Sequence, residues 1–275
     1  MPDRTDAKKQ VKRIKNLPTV PGIVQKISRM VENPNTSPTE VGRLISQDQV
    51  LSAKVLRMAN SAFFGQSRKI SSITQALLVL GYNVIKGLVL TSSVFDMIKK
   101  SMIGLWEHSI GCAAAAGVLA SRLGRKDAEE VLVAGLLHDL GKVILNLQLP
   151  EETAQVLTLA QEKNISFYDA ERQVLDFDHG DVGLWLAEHW NLPDVLSEPM
   201  HYHHQPERAR LAADQTAIVH LANIIIRARG IGAGVECFVP PLSRAAWGRL
   251  GFKTDDFGGI LEELEPKLVN LQDYM

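Results

Sequence analysis

The stretch Asp127-Ala128-Glu129-Glu130-Val131-Leu132-Val133-Ala134-Gly135-Leu136-Leu137-His138-Asp139-Leu140-Gly141-Lys142-Val143-Ile144-Leu145 is almost wholly apolar after an acidic opening. It predicts a long helix, capped at Asp127 and running towards Leu145. Strong apolar flanks on both sides mark that helix as buried. His138 and Asp139 then fall in a protein interior, where polar groups are costly unless satisfied. Neighbouring helical residues diverge by about 100°, yet both side chains still reach one ion placed in a groove between helices. Imidazole and carboxylate are ligands that suit iron, manganese, zinc and nickel. Lys142, one turn beyond His138, can point at the same cavity and meet a carboxylate or a phosphate oxygen there.

Working outward, helix signals dominate. Ser37-Pro38-Thr39-Glu40 is a capping box with proline at the first helical position. Asp48 caps a second helix, with Val50, Leu51, Val55, Leu56 and Met58 as its apolar stripe. Ser72-Ile73-Thr74-Gln75 is another capping box and opens a third, which Gly81 ends. Helical patterns also cover roughly 103–123, 151–163, 180–190 and 213–229. No stretch shows convincing β alternation, and Val235 to Pro240 reads as a loop because of its prolines and nearby glycines. The expected architecture is all-α. All eight histidines lie at or after position 108, which suggests an N-terminal helical subregion, 1–98, and a metal-binding helical subdomain, 99–275.

A site built on His138 and Asp139 needs ligands from other helices. His108, His179 and the pair His203-His204 are candidates, and His220 and Asn223 share a face three residues apart. His189 and His201 read as ordinary structural histidines. Cys112 and Cys237 form no CxxC pair and read as small buried apolar residues.

Composition narrows the function classes. Thirty basic and 31 acidic residues leave a formal net charge of −1, so the overall field attracts no polyanion and no nucleic-acid partner is expected. The basic stretch Lys8 to Lys15 reads as a solvated helix face. No apolar run approaches the roughly 18 uninterrupted residues of a membrane helix, and no signal peptide opens the chain, so the expected location is the cytoplasm.

Taken together, these residues resemble a known family. His108, then His138-Asp139, then a distal polar residue resembles the HD superfamily of metal-dependent phosphohydrolases. Leu17-Pro18-Thr19-Val20-Pro21, Ile45-Ser46-Gln47-Asp48, Leu56-Arg57-Met58-Ala59-Asn60-Ser61-Ala62-Phe63-Phe64-Gly65 and Ile73-Thr74-Gln75-Ala76-Leu77 sharpen the match to the HDOD domain of bacterial signalling, over about residues 14 to 230. The resemblance implies an N-terminal helical subregion packed on an HD-like helical core. It places His108, His138, Asp139, His179, His203 and His204 where the related HD-GYP phosphodiesterases keep metal ligands, and Lys142 where they keep a lysine. Three departures stand out. Asn223 replaces the last metal-binding aspartate, Gln205-Pro206-Glu207 stands where Gly-Tyr-Pro would follow the histidine pair, and Gln49 replaces a usual proline.

Two functions are therefore expected from different classes, beside a purely structural reading in which the histidines form a hydrogen-bonded core without metal. One is a signalling module that holds one or two divalent transition metal ions and acts by binding a protein partner or a phosphorylated small ligand. The other is an active phosphohydrolase. In it His108, His138 and Asp139 hold one ion, His179, His203 and His204 hold the second, Asp139 bridges them, and Asp139 and Lys142 act in catalysis. In either case Asn223 is a weak, neutral donor.

Overall fold

The computed structural model describes residues 22–33, 35–60, 64, 69–232 and 238–269. The basic stretch at Lys8, the Leu17–Pro21 run, most of the segment after Asn60 and Cys237 lie outside the described residues. Among those described there is no strand, and the chain is all-α. They form two compact units, one ending at Asp96 and one beginning at Met97.

In the first unit, α1 (Gly22–Glu32), α2 (Pro38–Ser46), α3 (Gln49–Ala59) and α4 (Ile73–Leu80) lead into α5 (Tyr82–Ser101), which runs past the division. Short-range chemistry sets the boundaries. Ser37 and Glu40 form a complete capping box, with the Glu40 carboxylate accepting from the Ser37 N–H at 2.8 Å. Asp48 caps α3 by accepting from the Leu51 N–H at 2.9 Å. Ser72 caps α4, but Gln75 reaches back to the Ser71 N–H at 2.9 Å rather than to Ser72, one residue out of box register. Gly81 closes α4 at φ 84°, a backbone setting that glycine adopts without a Cβ penalty. Asn60 has a defined structural task. Its amide donates to the Leu56 and Ile70 carbonyls and accepts from the Ile70 N–H, at 2.9, 2.8 and 2.7 Å. That clamp ties the end of α3 to the chain leading into α4.

The second unit holds α6 (Leu105–Arg122), α7 (Ala128–Leu137), α8 (Leu140–Gln148), α9 (Pro150–Lys163), α10 (Phe167–Leu175), α11 (His179–His189), α12 (Asp194–Tyr202), α13 (Ala213–Ala228), α14 (Arg244–Leu250) and α15 (Asp256–Val269). Helix α7 lies along α6, α13 covers both, α11 lies on α8, and α12 bridges α7, α11 and α13. Leu119, Leu137, Ile144, Leu145 and Leu186 are fully buried at these contacts. Close approach is set by glycine. A Cβ on Gly135 would stand 2.8 Å from the Cys112 carbonyl, and one on Gly141 would fall on the His179 carbonyl.

The structure corrects the long helix expected over 127–145. It breaks at His138-Asp139, where Asp139 adopts φ −95° and ψ 10° and α8 starts anew. The cause is local. His138 Nδ1 donates to the Gly135 carbonyl at 2.7 Å, the acceptor that a continuing helix assigns to the Asp139 N–H. Nor does Asp127 cap α7 through its side chain. Its carboxylate is held by Arg125 at 2.7 and 2.9 Å and by Gln215 at 2.7 Å.

Candidate metal centre

The break between α7 and α8 turns His138 and Asp139 into the same interior space. His108 enters it from α6, Lys142 from the first turn of α8, His179 from the first residue of α11, and His203 and His204 from the end of α12. His108, His138, Asp139, His179 and His203 are 0–1% exposed and Lys142 is 2% exposed. His204 is partly exposed and stacks on Tyr168, with ring centroids 4.7 Å apart.

Hydrogen bonds to one edge of each ring fix what the other edge offers. His138 Nδ1 meets the Gly135 carbonyl at 2.7 Å, His203 Nδ1 meets the Pro199 carbonyl at 3.0 Å, and His179 Nδ1 meets a Glu171 carboxylate oxygen at 2.6 Å. A carbonyl only accepts, so His138 and His203 carry their proton on Nδ1 and present a bare Nε2 to the interior. His179 does the same whenever it is neutral. This outward Nδ1–H with an inward lone pair is how metal-ligating histidines are held.

The inward atoms fall into two sets around one carboxylate. Asp139 Oδ2 lies 3.6 Å from His108 Nε2 and 3.5 Å from His138 Nε2. Asp139 Oδ1 lies 3.3 Å from His179 Nε2 and 3.6 Å from His203 Nε2. His179 Nε2 is 3.1 Å from the Nε2 of both His203 and His204. Two nitrogens each about 2.1 Å from one tetrahedral ion lie about 3.4 Å apart, so these spacings suit shared ligation. His138 Nε2 and Asn223 Oδ1 are buried without a hydrogen-bond partner, which is unusual for buried polar atoms. Orphaned donors made only of nitrogen and oxygen fit a divalent transition metal.

Charge supports the same reading. Burial alone would raise the Asp139 carboxyl, but the neighbouring His138, Lys142 and His179 hold it well below the usual carboxylate range. Burial pushes His108 and His203 well below the ordinary imidazole value, which favours the neutral form that ligates. His179 is the exception. Burial would lower it, but the Glu171 carboxylate lifts it to about 10.

The sequence had not pointed to three residues here. Glu171, fully buried on α10, accepts from both the His179 backbone N–H at 3.0 Å and His179 Nδ1. It lies in register with buried Phe167, Ala170 and Leu175, and a carboxylate inside an apolar helical stripe was the available signal. Arg227 on α13 brings its guanidinium 3.8 Å from Asp139 Oδ2. Cys112 is buried as expected, but its sulfur stands 3.4 Å from His108 Nε2. Asn223 lies one turn before Arg227 on α13. His220 takes no place among the donors. Its Nδ1 donates to the His203 carbonyl at 2.7 Å and its Nε2 accepts from the Ser243 N–H at 3.0 Å. His201 bonds Asp181 at 3.2 Å, and His189 is exposed at the end of α11.

Glu171→Gln keeps the shape of this support and removes its charge. Metal affinity should fall about 10- to 100-fold, the usual loss when an outer partner of a ligating histidine is changed. The circular dichroism spectrum should not change. Titration against a chromophoric chelator checks this, and unchanged affinity would remove Glu171 from the site.

A family model of the HDOD domain matches residues 17–206. The chain belongs to the HDOD family. Relatives agree with that. An HDOD domain protein of unknown function from Geobacter sulfurreducens is 31% identical, with a TM-score of 0.75, and the likeness covers 98% of this chain and 97% of that one. An uncharacterized protein of Treponema pallidum (strain Nichols) is 30% identical over 229 residues, 78% of this chain. The HDOD chain spans only 43% of that longer protein. A Shewanella amazonensis protein, proposed by its name as a phosphohydrolase, shares the HDOD fold at 23% identity and a TM-score of 0.64, covering 94% of this chain and 97% of that one. Asn223 and Arg227 lie beyond the segment that the family model matches. No helix among the described residues is long and apolar enough to cross a membrane.

Proposed function

We propose that this HDOD chain is a bacterial, cytoplasmic signal-transduction module that holds divalent metal in an HD-type site and acts by binding a partner protein or a phosphorylated small ligand. The observation that carries the reading is the set of imidazoles turned by their Nδ1 hydrogen bonds to face one buried carboxylate. His108, His138 and Asp139 would hold one ion, with Asn223 as a neutral donor. His179, His203 and His204 would hold another.

Three features favour binding over turnover. The ligand atoms lie in the interior, whereas a phosphoester must enter. Lys142 Nζ is tied to Asp139 Oδ2 at 2.9 Å. Asn223 brings no charge to its ion.

A second reading, an active phosphohydrolase, is favoured by Asp139 directing one oxygen to each histidine set, the arrangement of a bridging carboxylate. When bound, paired divalent ions supply Lewis acidity that polarises a phosphoryl oxygen and makes water acidic enough to attack near neutral pH. The protein's own part is to orient. Glu171 fixes the His179 ring, and Gly135 and Pro199 fix His138 and His203. Lys142, once released from Asp139, would place positive charge on the phosphoryl oxygens.

Metal analysis of tag-free protein by mass spectrometry tests the reading, with Asp139→Ala as the control. One or two ions per chain, lost in the variant, are expected. Incubation with bis(p-nitrophenyl) phosphate then separates the two functions, because the module should release no nitrophenol above the rate of the Asp139→Ala protein. Protein that takes up no iron, manganese, zinc or nickel would overturn both.

A further inference from the structure

We propose that Cys112 is itself a metal ligand, giving the ion beside His108 and His138 a thiolate donor and a preference for zinc or ferrous iron over harder manganese. The inference rests on the metal-holding reading above and adds a sulfur to a site otherwise made of nitrogen and oxygen.

Helix geometry places the sulfur there. Cys112 follows His108 by four residues on α6, so both project from one face. Its Sγ is 3.4 Å from His108 Nε2 and 4.0 Å from Nδ1, so it faces the inward edge of that ring. A sulfur at about 2.3 Å and a nitrogen at about 2.0 Å from one tetrahedral ion lie about 3.5 Å apart. The ligand atoms of His108, Cys112 and His138 all lie within 4.8 Å of one another. A thiol–imidazole hydrogen bond would account for the His108 contact alone. It leaves His138 Nε2, fully buried and without a partner, unexplained. A shared ion satisfies all three.

Charge and softness agree. Binding of M²⁺ converts the Cys112 S–H into a metal–sulfur bond and releases its proton to solvent. The thiolate brings a negative charge to the ion, which the neutral Asn223 does not. Thiolate ligands select zinc and iron, whereas manganese favours oxygen.

X-ray absorption at the zinc edge decides the question, using full-length tag-free protein in a Cys237→Ala background loaded with one equivalent of zinc. A sulfur shell at about 2.3 Å is expected, and it should vanish in Cys112→Ala. Zinc affinity should fall in that variant by about a hundredfold, the upper end of the 10–100-fold loss typical of changing an outer partner, while manganese affinity changes little. Zinc bound with only nitrogen and oxygen neighbours would overturn the proposal and leave the metal reading intact. A sulfur shell that survives in Cys112→Ala would also overturn it. Failure to bind zinc at all would overturn both readings.

Discussion

Asp139→Asn is expected to remove the metal and to destabilise the ion-free protein by about 3–5 kcal/mol, the usual cost of breaking a buried ion pair from one side. The size follows from what Asp139 balances. Its carboxylate is 1% exposed, bonds Lys142 Nζ at 2.9 Å, and lies 3.3 Å from His179 and 3.8 Å from Arg227. Asparagine keeps the shape and strands that positive charge in the interior. Adding Lys142→Met should restore part of the stability, because one uncompensated cation is gone. It should restore none of the metal, because the lost donor is still lost. Urea unfolding followed by circular dichroism, with the slope unchanged, reads the first effect, and metal analysis reads the second. A single variant as stable as the parent would mean that Asp139 is not the counter-charge described here. A double variant that regained metal would mean that it is not a ligand.

The helical class was legible because its signals are short-range. The Ser37–Glu40 box and the Asp48 and Ser72 caps depend on residues three apart, and each forms. The sequence patterns did not include α1, α5, α10, α12, α14 and α15. Three of these, α10, α12 and α14, have nine residues or fewer, and charged residues such as Asp169 and Glu171 in α10 interrupt the apolar spacing. The break at His138 was invisible for a different reason. A continuous apolar pattern describes a buried helix equally well with or without a kink, and the kink depends on where one imidazole finds its acceptor. Among the candidate donors, the sequence offered residue types but not tautomers. Glu171 and Arg227 were passed over because each is a single charge in a helix, while their partners lie on other helices, at His179 and Asp139. Cys112 was read from chemistry averaged over buried cysteines, and only its distance from His108 distinguishes it.

Gly141→Ala should cost about 1–3 kcal/mol and weaken metal binding, although it touches no candidate ligand side chain. Helix propensity predicts the opposite sign, since alanine in a helix interior is favoured over glycine by about 1 kcal/mol. Packing wins here because the new Cβ would fall on the His179 carbonyl, with the Gly183 N–H next at 3.1 Å. Both belong to backbone, which cannot swing aside as a flexible side chain would. Helix α8 must move away from α11, and that movement separates Asp139 and Lys142 at the start of α8 from His179 at the start of α11. Gly183→Ala is the matched control on the other helix. Its Cβ would first meet the Met200 carbonyl at 3.3 Å, a contact that a few tenths of an ångström relieves. The expected order of unfolding midpoints is parent, then Gly183→Ala, then Gly141→Ala, with zinc affinity following the same order. A Gly141→Ala protein as stable as the parent would show that the α8–α11 spacing is not fixed by that glycine. The metal centre would then have to be held together by its own ligands rather than by the helices that carry them.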